Sequence, residues 1–195
     1  MTATHPTLPP TPGQTVGPFF HDALPYPGGP DLVPPGHDRA LRLRGLVTDG
    51  AGTPVTDALV ELWQAAPDGS VPQEQGSLRR DGWTFTGWGR SATDGSGLYT
   101  FTTVAPGPTR PGGAPFFALA VLTRGLTDRL LTRAYLPTAD GGAPDDPFLA
   151  AVPRERRRTL VAVAEPTGFR FDLRLQGHDE TVFLDLRRDA RDAPA

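Results

Sequence analysis

Apolar and polar residues alternate along several short segments of this chain, and turn-forming residues separate these segments. In residues 169–176 (FRFDLRLQ) every odd-numbered residue is apolar and every even-numbered residue is polar. A period of two is typical of a strand with one buried face. Together with the β-branched and aromatic content of other segments, this pattern predicts strands at 41–48, 58–64, 83–90, 98–104, 116–122, 130–136, 169–176 and 181–186.

About eight short strands joined by tight turns favour an all-β protein with a β-sandwich architecture. Residues 116–122 (FFALAVL) form a continuous apolar run that suits a buried strand, although periodicity alone would also allow a helix. One short helix is predicted near 146–157, where Pro147 fits a first helical position and arginines follow late in the segment.

The predicted organisation is one β-sandwich domain with extended ends. Residues 1–38 are rich in proline and lack strand periodicity, so they are interpreted as an N-terminal arm held by the rest of the protein or by a partner. The domain is assigned to residues 39–188, and residues 189–195 are assigned to a tail. The 23 glycines and 23 prolines punctuate apolar segments, and therefore do not indicate low complexity.

Composition excludes several classes of function. The net charge is −3, which gives no reason to expect nucleic acid or an anionic membrane as a partner. The single basic cluster, 154–158 (RERRR), is more economically explained as a solvated or subunit-contact surface. The chain has no cysteine, no secretory signal pattern and no apolar run near 18 residues, so a soluble cytoplasmic protein is expected.

The residues that usually carry catalysis are scarce in the predicted core. Histidine occurs at four positions, none of them between 37 and 178, and tyrosine occurs at three, none of them between 26 and 99. Asp and Glu show no recognisable ligand spacing, and no G-x-S-x-G elbow is present. The positions are His5, His21, His37 and His178, with Tyr26, Tyr99 and Tyr135.

Two segments have binding potential. Residues 11–20 (TPGQTVGPFF), here called the strap, form a stiff and irregular backbone that could lie against a ligand or simply pack as an N-terminal segment. Arg133 lies between apolar neighbours in LLTRAYL. It could point outward on an edge strand, or it could hold a carboxylate with two parallel hydrogen bonds.

Residues 94–109 (DGSGLYTFTTVAPGPT) resemble the signature of the intradiol ring-cleaving dioxygenases, D-x-x-G-x-Y-x-F-x-T-x-x-P-G-x-Y. In iron-binding members a ligand tyrosine ends this run, and a His-x-His pair follows. Here the tyrosine position is Thr109, and the histidine positions are Phe116 and Ala118. The resemblance therefore implies the scaffold of a metalloenzyme without metal ligands.

Other motifs extend the resemblance from about residue 11 to 186. The segments TPGQTVGPFFH, LVELWQAAPDG, LTRAYL and FRFDLRLQGHDETVFLDL are similar to the iron-free alpha subunits of two-subunit members of that family. The resemblance implies a homologous beta subunit that holds Fe³⁺ through two tyrosines and two histidines, and a higher oligomer of αβ units. The implied reaction is cleavage of 3,4-dihydroxybenzoate (protocatechuate) by O₂ to 3-carboxy-cis,cis-muconate.

The same resemblance assigns substrate-binding residues but no catalytic or metal-binding residue to this chain. Thr15, Gly17 and Pro18 match the part of the strap that lines the substrate site, and Arg133 matches an arginine near the substrate carboxylate. Phe19 stands where alpha subunits often have a tyrosine. Two alternatives remain open: a non-catalytic β-sandwich binding module, and a self-sufficient dioxygenase with an unorthodox site.

Overall fold

The computed structural model describes residues 14–74 and 80–185. The strands are β1 (Leu41–Thr48), β2 (Leu59–Trp63), β3 (Trp88–Ala92), β4 (Leu98–Thr103), β5 (Phe116–Leu122), β6 (Leu130–Tyr135), β7 (Val163–Glu165), β8 (Gly168–Arg170) and β9 (Leu173–Arg174). The helices are α1 (Phe20–Ala23), α2 (Pro147–Ala151) and a 3₁₀ turn (Arg157–Leu160). No helix in the described ranges is long and apolar enough to cross a membrane.

The strands form two sheets with one shared core. One sheet has the order β4-β1-β8-β7, and β9 also pairs with β1; the other has the order β3-β2-β5-β6 and is antiparallel throughout. Side chains that alternate along each strand meet between the sheets, including Leu43, Leu62, Phe101, Phe117 and Leu173. The predicted all-β sandwich is confirmed.

The strand predicted at 83–90 begins five residues late, because a side-chain-capped turn precedes it. The Asp81 carboxylate accepts hydrogen bonds from the backbone N–H groups of Trp83 and Thr84 and from the Thr84 hydroxyl. This turn uses the backbone donors that a strand ladder would need. β3 therefore starts at Trp88.

The segment 169–176 keeps its predicted alternation, but it is two short strands and not one. Phe171 and Leu173 are buried between the sheets. The ladder to β1 is interrupted because the Phe171 carbonyl accepts the Tyr99 hydroxyl at 2.6 Å, while the Leu46 N–H donates to the Asp172 carboxylate. Gly45 makes this possible, since a Cβ at that position would lie 1.8 Å from the Phe171 carbonyl oxygen.

The strand predicted at 181–186 is wrong for the described part, 181–185, which has no strand assignment. This segment runs beside β6 through isolated hydrogen bonds instead of a ladder. The Leu184 N–H donates to the Leu131 carbonyl, and the Thr132 hydroxyl donates to the Val182 carbonyl.

The helix predicted near 146–157 has the right start and the wrong extent. The Asp146 carboxylate caps α2 by accepting the N–H groups of Phe148 and Leu149, and Pro147 occupies the first turn. Val152 is extended and precedes Pro153, so α2 ends there. The later residues form the separate 3₁₀ turn.

The described part of the arm packs on two edges of the sandwich. The Pro30 carbonyl accepts the Thr102 N–H, and the Leu32 N–H donates back to the Thr102 carbonyl, which ties the arm to β4. The Tyr26 ring stacks on Trp88 of β3 with centroids 5.9 Å apart. The arm also contains α1, which the sequence does not predict. The domain boundaries at 38 and 188 stay predictions, and residues 1–13 and the tail lie outside the described residues.

Candidate substrate-contacting site

Two of the replaced ligand positions lie on the outer face of the second sheet. In β5, Phe117 and Leu119 point into the core, so Phe116 and Ala118 point away from it. The register of β5 with the edge strand β6 places Ala118 directly opposite Arg133. The structure therefore brings Phe116, Ala118 and Arg133 together at one end of the β5–β6 hairpin.

The Arg133 guanidinium lies against two aromatic rings. Its central carbon is 4.3 Å from the Phe116 ring centroid and 4.7 Å from the Phe148 centroid. Such contacts attract a cation to the ring face. One nitrogen, Nη1, also donates to the Tyr135 hydroxyl at 3.1 Å. The side chain is half-buried and fixed from three directions.

Tyr135 connects Arg133 to a buried carboxylate. The Tyr135 hydroxyl donates to Asp146 Oδ1 at 3.1 Å, and Asp146 is 2% exposed. Asp146 also accepts the N–H groups of Ala114, Phe148 and Leu149. A buried carboxylate with this many donors is fully satisfied, so the chain Arg133–Tyr135–Asp146 forms one connected polar network.

The pKa shifts of this network keep its charges in place at neutral pH. Burial raises the pKa of the Tyr135 phenol against the opposing effect of Arg133, so the hydroxyl keeps its proton. Burial alone would raise the pKa of the Asp146 carboxyl, but hydrogen bonds from Ala114, Phe148 and Tyr135 outweigh it and the pKa is lowered. Asp146 is consequently an anion paired through Tyr135 with a cation.

The neighbouring surface on the same sheet is aromatic. Trp63 of β2 lies directly across from Ala118 and is 53% exposed. Its ring centroid is 5.9 Å from that of Trp88. Ala118 lies between the exposed Trp63 and the half-buried Arg133, so this face of the sheet has both apolar and cationic character.

The strap lies at the other end of the same hairpin. Thr15 and Pro18 are exposed, and Gly17 has a positive φ of 76° with open space around it. Val16 lines a small cavity with Leu122, the last residue of β5. Four residue steps, about 13 Å along a strand, separate Leu122 from Ala118, the residue opposite Arg133, and the Arg133 guanidinium lies farther away still, over Phe116. The strap and Arg133 are therefore not brought together within this chain.

The replaced ligand positions do not fit an iron ion. Phe116 and Ala118 offer no donor atom, and the Arg133 cation lies where it would repel a metal. Thr109 is exposed in the loop between β4 and β5. Among the described residues, no group of three or more His, Cys, Asp or Glu side chains could hold a metal.

The three described histidines lie away from Arg133. His21 of α1 makes a 3.2 Å contact from Nε2 to the Thr93 carbonyl, beyond the end of β3. His178 pairs with Asp179 in an exposed turn. His37 accepts the Arg39 N–H in an exposed part of the arm. His5 lies outside the described residues.

Sequence reasoning missed Tyr135, Asp146 and Phe148. A signal existed for Tyr135, because its spacing of two from Arg133 places both side chains on one face of a strand. Asp146 was recognisable only as a helix start. Its link to Tyr135 depends on how α2 folds back on β6, and local sequence does not contain that information.

Comparison with known proteins connects this fold to a class of enzymes. A family model described as "Dioxygenase" matches residues 17–129, more than half of the chain. The structure resembles an intradiol ring-cleavage dioxygenase from Tetranychus urticae with a TM-score of 0.58 and 16% identity, covering 86% of this chain and 94% of that one. At this identity the likeness shows the fold alone.

Sequence relatives are more specific. The chain is 37% identical to the protocatechuate 3,4-dioxygenase alpha chain of Burkholderia cepacia, covering 92% of this chain and 99% of that protein. It is 29% identical to the beta chain of the same organism's enzyme, over 80% of this chain and 78% of that one. The chain belongs to the intradiol ring-cleaving dioxygenase family, and the resemblance to its alpha chains is confirmed.

The family match covers the replaced ligand positions but not Arg133. The matched segment, 17–129, contains the replaced ligand positions Thr109, Phe116 and Ala118 but ends before Arg133. A role for Arg133 therefore depends on the alpha-chain resemblance and on its own geometry, and not on general family membership.

Proposed function

We propose that this chain is the iron-free alpha subunit of a protocatechuate 3,4-dioxygenase and completes the substrate pocket of an iron-bearing beta subunit. The proposal depends on one combination of features. The chain is similar to an alpha chain over nearly its full length, and it has apolar side chains at Phe116 and Ala118. The similarity to a beta chain supports a homologous partner that shares the fold. Further proposed features are a higher oligomer of αβ units and a location in the bacterial cytoplasm.

The proposed reaction is intradiol cleavage of protocatechuate by O₂ to 3-carboxy-cis,cis-muconate. Ferric iron in the partner subunit would supply the activation of the catechol ring. This chain would supply Arg133, whose fixed guanidinium presents paired donors to the substrate carboxylate. A substrate without the carboxylate leaves this half-buried charge without a partner, so the site favours protocatechuate over catechol.

We assign Thr15, Gly17 and Pro18 of the strap to the wall of the same pocket. A wall of this kind excludes water and orients the ring. Because the strap lies more than about 13 Å from Arg133 along the hairpin, one substrate molecule can contact both the strap and Arg133 only if the strap is repositioned when the partner binds. Its exposed side chains and open surroundings are compatible with such a movement.

Expression of the chain alone and together with a beta subunit tests the proposal. The expected result is a colourless, iron-free and inactive chain alone, and an iron-containing, coloured and active complex with the partner. A coloured and active single chain would instead support the self-sufficient dioxygenase. A chain that does not associate with any beta subunit would support the non-catalytic binding module.

A further inference from the structure

The guanidinium of Arg133 is held so that one edge remains open. Nη1 donates to Tyr135, and the Phe116 and Phe148 rings lie against the group. Within residues 14–74 and 80–185, neither Nε nor Nη2 of Arg133 has a hydrogen-bond acceptor, and neither is among the buried nitrogens that lack a partner. The Nε–Nη2 edge therefore reaches solvent with its donors unused.

An open Nε–Nη2 edge has the geometry for a carboxylate. Its two N–H groups are parallel and match the two oxygens of a carboxylate in a bidentate pair. An arginine that rotates freely would lose side-chain entropy each time it bound such a ligand. An arginine fixed beforehand by its neighbours avoids most of that loss.

Asp146 is itself held in place and fixes the Tyr135 hydroxyl. It is nearly inaccessible, it is held by three backbone N–H groups, and it accepts the Tyr135 hydroxyl. The hydroxyl proton is thereby directed to Asp146, so the Tyr135 oxygen presents its lone pair to Arg133. Nη2 of the exposed Arg110 lies 3.9 Å from Asp146 Oδ2, and this distance is too long for a hydrogen bond.

We propose that Tyr135 and Asp146 are positioning residues for Arg133, and that Phe116, at a replaced ligand position, forms the back of a carboxylate subsite. This inference rests on the proposed function. It adds that the lost ligand position has gained a role: the aromatic ring that cannot bind iron supports the cation that binds the substrate carboxylate.

The test compares two tyrosine variants in the assembled αβ complex. Tyr135→Phe removes the hydroxyl that orients Arg133. Tyr99→Phe removes an equally buried hydroxyl, which donates to the Phe171 carbonyl far from this surface, and serves as the matched control. We expect Tyr135→Phe to raise KM for protocatechuate about tenfold, with a smaller change for catechol, because one charge-assisted hydrogen bond is lost. Tyr99→Phe should leave both KM values unchanged.

Coupling to Arg133 separates positioning from general damage. In an Arg133→Gln background, Tyr135→Phe should add no further increase in KM for protocatechuate, because the group that it positions is gone. An equal tenfold increase in both backgrounds would overturn the proposal. So would a Tyr135→Phe complex with the wild-type KM.

The proposed function can fail separately. If Arg133→Gln itself leaves the ratio of KM values for protocatechuate and catechol unchanged, the anchor role and the positioning role are both wrong. If Arg133→Gln changes the ratio and Tyr135→Phe does not, only the positioning role is wrong. Should Tyr135→Phe fail to assemble, Phe116→Leu carries the same coupling test, because it removes a ring that lies against Arg133 and leaves the hydrogen bonds of Asp146 intact.

Discussion

The two ends of the β5–β6 hairpin use different physical means to present a side chain. At one end, Arg133 is fixed by two rings and by a hydroxyl that a buried carboxylate orients. At the other end, the strap exposes Thr15 and Pro18 and has open space around Gly17. The first end is organised by contacts within the chain, whereas we propose that the second gains its contacts from the partner subunit. Substitutions at the two ends should therefore act on different quantities.

The largest expected effect is on stability at the Arg133 end. Asp146→Ala removes a helix cap and leaves the Ala114 N–H and the Tyr135 hydroxyl without their acceptor, so we expect a loss of about 3 kcal/mol of unfolding free energy. Urea unfolding measures it. Asp140→Ala is the control, because Asp140 is an exposed turn carboxylate. Equal losses for the two variants would show that the network contributes nothing.

The next effect is an acid dependence that the same carboxylate causes. The pKa of Asp146 is lower in the folded chain than in the unfolded chain, where it is about 3.9. Its contribution is therefore present above the unfolded value and is lost as the pH falls through the folded value. We expect the unfolding free energy to fall below about pH 4, and to fall less steeply for Asp146→Asn. Parallel pH profiles for the two proteins would contradict this.

A smaller effect is expected at the replaced ligand position. Phe116→Leu keeps an apolar side chain but removes the ring face under Arg133, which is worth about 1 kcal/mol, or about fivefold in KM for protocatechuate. Phe169→Leu is the control: its ring packs on Phe117, and no arginine of the described part of the chain lies over it. Steady-state kinetics of the assembled complex should show the increase for Phe116→Leu alone. The same increase in both variants would indicate general loosening.

The smallest effect on stability is expected in the strap. Gly17→Ala forces a side chain into a backbone with φ of 76°, but the space around this position is open, so unfolding of the chain should change by less than about 0.5 kcal/mol. In the complex, KM for protocatechuate should rise measurably. Gly36→Ala, also at positive φ with open space, should match it in stability and leave KM unchanged. Unchanged KM values for both variants would remove the strap from the pocket.

The strands could be predicted from sequence where the alternation of apolar and polar residues coincides with continuous backbone hydrogen bonding between neighbouring strands. β1 and β5 begin and end where the pattern places them, because every second side chain enters the core. The prediction of one strand over 169–176 is wrong because the Tyr99 hydroxyl and the Asp172 carboxylate take the ladder's hydrogen bonds. Side-chain competition of this kind depends on residues far apart in the sequence.

The site could be predicted in part for a similar reason. The sequence allowed two interpretations of Arg133: an outward-pointing side chain on an edge strand, or a side chain that binds a carboxylate with two parallel hydrogen bonds. In the structure the two are compatible, since β6 is an edge strand and the outward side chain is held against Phe116. The positioning network could not be predicted, because Asp146 reaches Tyr135 only after α2 packs against β6.

The most direct test of the central claim is the substrate preference of an Arg133→Ala complex. Arg170→Ala is the control, because Arg170 is an exposed arginine on the other sheet that pairs with Asp172. We expect Arg133→Ala to raise KM for protocatechuate by at least tenfold with a much smaller change for catechol, because a charged hydrogen bond of 1.5–3 kcal/mol is lost, about ten- to a hundredfold. Arg170→Ala should leave the preference unchanged. Equal losses of Arg133→Ala activity on both substrates would contradict a carboxylate anchor in this subunit.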